Sequence, residues 1–198
     1  MPRSVYFSFH YQDVIDFRAN VVRNSGKIRK KGAQFRDLSI WEEAEEKQIK
    51  KIKILIDQEL KGSSVTCVLI GSETYSRRFV RYELVKSFEM KKGQFGVGIN
   101  WIKDKNGSTK FWAGENPFNY IKLKVSNDGK TIEFIEMKDN SWVTFKDLPS
   151  IKNSHFRENN FGREFRFSEF YKRYSYEWDN GKVNFPKWVE EAAKRVGR

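Results

Sequence analysis

The chain has a single cysteine, Cys67, in 198 residues, so an internal disulfide framework is excluded. Only two histidines occur, His10 and His155, and no Cys/His spacing supports a zinc site. No run of about 18 apolar residues is present, so no transmembrane helix is expected. The first residues, MPRSVYFSFHYQD, lack the apolar centre and small-residue cleavage site of a secretory signal. These absences lead us to expect a cytoplasmic protein. There is also no phosphate-binding P-loop and no GxGxxG. The glycines of Gly93-Gln94-Phe95-Gly96-Val97-Gly98 run into a strand instead of opening a helix, which argues against a nucleotide loop.

What the chain does have is aromatic residues and positive charge. Aromatics reach 16%, and each buries a large area, so a 38% apolar content can still close a core. The net charge of +12 raises nucleic acid as a partner. The charge is spread out, however: residues 1–100 hold 19 basic and 12 acidic side chains, and residues 101–198 hold 19 and 14. The densest basic stretch, Arg23 to Arg36, contains glycine and reads as a solvated loop or as a phosphate-attracting one. No recognition-helix motif accompanies it, so nucleic acid is not the expected partner.

Hydrophobic periodicity gives the order of elements. Residues 4–9 form a short β-branched and aromatic run, read as a buried strand. Val14, Phe17 and Val21 recur at helical spacing over residues 14–23. A weak strand is expected at Ala33–Leu38. Ser39-Ile40-Trp41-Glu42 fits a capping box opening a helix that ends at Gly62. On it Ile52, Leu55 and Ile56 are expected in the core, as are Val68 and Ile70 of the next strand. Val65–Ile70 is continuously apolar, as in the centre of a parallel sheet. Ser76–Met90 reads as the next helix and Phe95–Ile102 as the fourth strand. Alternating strand and helix predicts an α/β fold with a parallel sheet in order 2-1-3-4, extended by an element from the second half. Ligands of such sheets bind beyond the strands' carboxyl ends. Further on, Asp139-Asn140 sits between two strand-like runs as a hairpin turn. Ser168–Trp178 and Pro186–Val196 show helical spacing. The second half is therefore expected to add one strand and covering helices.

One residue breaks the apolar pattern. On the helix from Ser76, Glu83 falls in the arc with Phe79, Val80, Leu84 and Phe88. A carboxylate there must meet a partner, face a cavity or have a raised pKa; the plain structural reading is a salt bridge to Arg81 or Arg77, and the alternative is a functional group.

Phe7-Ser8-Phe9-His10-Tyr11-Gln12-Asp13 resembles the opening of TIR domains. Phe79-Val80-Arg81-Tyr82-Glu83 resembles their W-C-x-x-E helix motif, with Phe79 in the aromatic position and Val80 in place of the cysteine. The segments FSFHYQDVIDFR, SVTCVLIGSETYSRRFVRYE and DNGKVNFPKWV more closely resemble TIR proteins of Thoeris anti-phage defence systems. The resemblance spans nearly the whole chain. It implies one domain over residues 1–198: a flavodoxin-like, TIR-type core at 1–105 and a family-specific extension of hairpin and helices at 106–198.

The resemblance also implies cleavage of NAD at the nicotinamide–ribose bond, giving a cyclic or modified ADP-ribose that activates a separate effector. NAD is then substrate, and no metal or further cofactor is required. Glu83 becomes the catalytic candidate. Phe7, Ser8, His10 and Asp13 are expected on one side of the substrate pocket, and Ser72, Tyr75 and Phe79 on the other. Phe79 fits equally a stacking role or the core, and His10 a phosphate contact or an exposed loop. TIR resemblance further suggests that homo-oligomer assembly completes the site. The rival readings are a non-catalytic interaction module and a nucleic-acid binder using the basic loop. Replacing Lys30 and Lys31 by Ser is expected to leave nicotinamide release largely intact. Loss of activity in a folded double variant would instead make the loop a phosphate or partner site.

Overall fold

The computed structural model describes residues 3–14, 17–25, 29–30 and 46–198. The weak strand expected at 33–38, the Ser39–Glu42 capping box and most of the basic loop lie outside the described residues. Strand β1 (Ser4–Ser8) is followed by the short helices α1 (Tyr11–Val14) and α2 (Arg18–Arg23). Then come β2 (Arg29–Lys30), α3 (Glu46–Lys61), β3 (Val65–Ile70), α4 (Arg78–Glu89) and β4 (Gly93–Gly98). β1 pairs in parallel with both β2 and β3, and β3 with β4, in the order 2-1-3-4. The expected α/β parallel sheet is thus present, with its second strand at residues 29–30. No described helix is long and apolar enough to cross a membrane.

The second half departs from expectation. Five short strands, β5 (Ile121–Val125), β6 (Thr131–Lys138), β7 (Ser141–Thr144), β8 (Ser150–Lys152) and β9 (Glu164–Arg166), form a second, antiparallel sheet. The β6–β7 turn is the Asp139-Asn140 pair, with φ of 48° and 59° at the two residues. Positive φ at both centres is what a two-residue hairpin turn requires. The helix expected over 168–178 is instead α5 (Phe167–Phe170) followed by β10 (Arg173–Ser175). β10 pairs in parallel with β4 and extends the first sheet. Pairing with an open sheet edge overrode the helical spacing of the aromatics. The last helix, α6 (Gly181–Arg195), begins five residues before Pro186 and carries it internally.

Two apolar clusters flank the parallel sheet. On one face, Tyr6, Val68 and Ile70 meet Ile52, Ile56 and Leu60 of α3 and Phe79, Leu84 and Phe88 of α4, and the cluster continues into Leu123, Ile132 and Phe134 of the second sheet. On the other face, Val5, Phe7, Cys67 and Val97 meet Ala19 and Val22 of α2 and Phe185, Trp188 and Ala192 of α6. Gly93 lets α6 approach β4, since a Cβ there would lie 2.3 Å from the Ala192 carbonyl oxygen.

One expected core assignment fails, and one expected helix is broken. Leu55 is 41% exposed. The buried stripe of α3 runs through Ile52, Ile56 and Leu60, and at 100° per residue Leu55 falls outside it. The helix expected over 14–23 is interrupted at Phe17, whose φ is 72°, so Phe17 and Val21 face outward while Ala19 and Val22 are buried. Ile56→Ala is therefore expected to cost about 2–5 kcal/mol, and Leu55→Ala to stay within about 0.5 kcal/mol, in urea unfolding midpoints.

Candidate active site

Side chains alternate across a strand, so Tyr6 and Ser8 of β1 share one face and Val5 and Phe7 the other. Helix α4 lies on the Tyr6 face and carries Glu83, which is 4% exposed. The Tyr6 hydroxyl donates to Glu83 Oε1 at 2.5 Å, and Ser8 Oγ donates to Oε2 at 2.5 Å. Each carboxylate oxygen therefore receives one O–H. Burial pushes the Glu83 carboxyl up to about 7, while the hydrogen bonds from Ser8 and Tyr6 pull it back down. The Tyr6 phenol is itself raised well above its ordinary value, first by burial and then by the neighbouring carboxylate.

The ion pairs expected from the sequence do not reach Glu83. Arg77 pairs with Glu73, and Arg81 with Glu136 of β6. Among the described residues Glu83 is held by hydroxyls and has no cation partner. A carboxyl so placed is poised near neutral pH between its acid and its charged form.

Asp13 fixes the segment that leads from β3 into α4. Its carboxylate accepts from Ser72 Oγ at 2.8 Å, the Glu73 N–H at 3.0 Å and Thr74 Oγ1 at 3.0 Å. Gly71 allows this approach, because a Cβ there would lie 2.4 Å from Asp13 Cβ. Asp13 and Ser72, expected on opposite sides of the pocket, instead bond to each other in a part-buried clamp on the backbone at the carboxyl end of β3.

The remaining candidates are scattered. Ser8 joins Glu83 directly. Phe7 does not: it points to the opposite sheet face and stacks on Phe185, with ring centroids 6.0 Å apart. Strand alternation decides this, since neighbours in β1 cannot share a face. His10 is 4% exposed, so the exposed-loop alternative fails. Phe79 is buried in the α4-side cluster, its core alternative. Tyr75 is half-buried against Tyr120, with centroids 4.9 Å apart. Sequence reasoning missed Tyr6, although its position two residues before Ser8 was the available signal. It also missed Thr74. No cluster of His, Cys, Asp and Glu able to hold a metal occurs among the described residues.

A parallel sheet with an acid buried on the helix after its central strand, facing hydroxyls of the first strand, defines a TIR-like domain. The family model for the Thoeris protein ThsB, TIR-like domain, matches residues 6–104, which end just beyond β4. The chain is also 43% identical over 192 residues to a Bacillus cereus (strain MSX-D12) protein named "Putative cyclic ADP-D-ribose synthase ThsB1". That similarity covers 96% of this chain and 100% of the relative, so it includes the second sheet and α6. The chain belongs to the Thoeris ThsB family of TIR-like proteins.

The raised Glu83 carboxyl has a consequence for stability. A folded-state pKa near 7 against an ordinary 4.5 favours folding at low pH, and this contribution is lost as pH rises through about 7. Relative to Glu83→Gln, the wild type is expected to lose about 3 kcal/mol between about pH 4 and about pH 8. Urea midpoints of both proteins across that range give the measurement, and parallel curves would show that Glu83 ionises as freely folded as unfolded.

Proposed function

We propose that this protein cleaves NAD at the nicotinamide–ribose bond and converts the ADP-ribose portion into a cyclic or otherwise modified nucleotide signal for a separate Thoeris effector. The observation that carries the reading is the buried Glu83 carboxyl held by Tyr6 and Ser8. The printed name of the Bacillus cereus relative supports the same substrate and product class.

In this reading the bond between C1′ of the ribose and the nicotinamide nitrogen breaks, and its electron pair leaves with nicotinamide. The positive charge of the pyridinium is thereby lost, and C1′ gains oxocarbenium character. Ionised Glu83 offsets that developing charge and can accept hydrogen bonds from the ribose hydroxyls. Water attacking C1′ gives ADP-ribose, whereas a nucleophile within the same molecule gives a cyclic product. Tyr6 and Ser8 orient the carboxylate and favour its charged form, while burial keeps it poorly solvated and electrostatically strong. No metal or additional cofactor has a part in these steps. The cytoplasm, where NAD is available, is the proposed location, and assembly into homo-oligomers is proposed to complete the pocket.

Glu83→Gln keeps the shape and can still hydrogen-bond both hydroxyls, so the variant is expected to fold. Its nicotinamide release is expected to fall by about 10²–10³ or more, the usual range for such electrostatic groups. Because the carboxylate is the working form, wild-type rate should rise with pH and level off above about 7. Nicotinamide release by a folded Glu83→Gln protein at the wild-type rate would remove Glu83 from the mechanism.

A further inference from the structure

A cleft of about 620 Å³ lies between the carboxyl-terminal ends of α4 and α6, beside Lys92 and Gln94 at the start of β4. Glu83 faces Ser8 at the carboxyl end of β1, so the two places lie at opposite ends of the parallel strands. The cleft is within the size range of small-molecule sites. We propose that it is a second ligand site, taking a nucleoside monophosphate or a closely similar anion with an amino-bearing flat ring.

The walls suit a flat ring. Phe88, His155, Phe156, Phe170 and Tyr171 line the cleft. His155 stacks on Phe88 at 4.3 Å between centroids, and Phe156 and Phe170 lie 5.9 Å apart. Burial lowers the His155 pKa, which leaves a neutral imidazole that acts as another flat surface. Four of these five rings are only half-buried and so still offer area to a ligand.

The wall also asks for a hydrogen-bond donor. Gln94 is 3% exposed, and its Nε2 donates to the Leu84 carbonyl at 3.2 Å. Its Oε1 is buried with no donor in hydrogen-bond geometry among the described residues, and the Tyr171 hydroxyl interacts with the same amide. A buried acceptor without a donor is costly, and the exocyclic amine of a base would satisfy it. A fatty anion would fill the aromatic walls but leave Oε1 unsatisfied.

The charge selects an anion. Lys91, Lys92 and Arg195 line the cleft against one acid, Glu169, and Arg198 lies beside Lys92. Lys92 donates to the Ser63 carbonyl, Lys91 to that of Ser154, and Arg198 to those of Met90 and Lys91. These partners are neutral, and none of the four cations is ion-paired among the described residues. Glu169 already accepts from the Arg166 N–H at 2.6 Å. Burial and repulsion by Arg198 push the Lys92 amine down to about 8, as expected for positive charge that lacks an anion. The carbonyls at the helix ends are already engaged: Arg198 donates to those of Met90 and Lys91, His155 Nε2 lies 2.9 Å from that of Phe88, and those of Ala193 and Lys194 in α6 accept from the Val196, Gly197 and Arg198 N–H groups.

This site stands independently of the chemistry at Glu83, and the test separates the two. AMP, adenosine and ribose 5-phosphate are titrated calorimetrically into the wild type, Arg195→Glu, Gln94→Leu and Glu83→Gln. Arg195 is exposed, so its substitution leaves the fold intact. We expect saturable AMP binding, with adenosine and ribose 5-phosphate each weaker by about ten-fold or more. Arg195→Glu and Gln94→Leu should each weaken AMP by about ten-fold, while Glu83→Gln binds it like the wild type. Absence of AMP binding to the wild type overturns the proposal. So does AMP affinity that ignores Arg195→Glu, or that falls only in Glu83→Gln.

Discussion

The contact between one carboxyl on α4 and two hydroxyls on β1 sets the terms for the rest of the molecule. Glu83 is buried in an apolar cluster, where an isolated carboxylate would be strongly disfavoured. Tyr6 and Ser8 supply one donor to each oxygen, which leaves the group near its point of ionisation at neutral pH. The pairing requires β1 in its present register with α4 crossing the same face. The Asp13 clamp on residues 72–74 supports this by fixing the chain where it turns from β3 into the approach to α4.

The second sheet braces the same helix. Arg78 of α4 makes two hydrogen bonds of 2.6 Å to Asp147, which Lys53 of α3 also contacts at 2.7 Å. Arg81 donates to the Tyr75 carbonyl, to Glu136 and to the Met137 carbonyl. Two residues before Glu83, then, the helix is fastened to the loop behind it and to strand β6 ahead of it. Phe88 continues the attachment with an edge-on contact to Phe134, centroids 5.8 Å apart. Of the two arginines that looked like partners for Glu83, Arg81 is occupied in holding its helix and Arg77 pairs with Glu73. With them turned away, burial raises the Glu83 pKa, and the hydroxyl hydrogen bonds lower it only in part.

Much of the first half was legible because its signals are local. Val65–Ile70 is apolar at every position but Thr66, and it is a strand buried on both faces. The alternation of such strands with amphipathic helices specified a parallel sheet and its order. Glu83 was visible as an acid inside a helical arc made otherwise of apolar residues and serines. Asp139-Asn140 announced its turn because both residues tolerate positive φ. The rest of the second sheet was hard to see because β8 and β9 have only three residues each, and β9 pairs with β5 from some forty residues away. The aromatics of 167–178 fit a helical period equally well, and only the free edge of β4 made Arg173–Ser175 a strand.

The sequence by itself determined that a parallel α/β sheet forms and that one acid is placed where water is excluded. Both follow from the order of apolar and polar residues over short stretches, where periodicity dictates which face is buried. Only the tertiary structure decided what that acid would meet. Strand alternation turned Phe7 away and brought Tyr6 in, the Glu136 carboxylate drew off Arg81, and the loop after β3 claimed Asp13. Each of these partners is distant along the chain, so the pairing is fixed by packing of whole elements, and no local pattern encodes it.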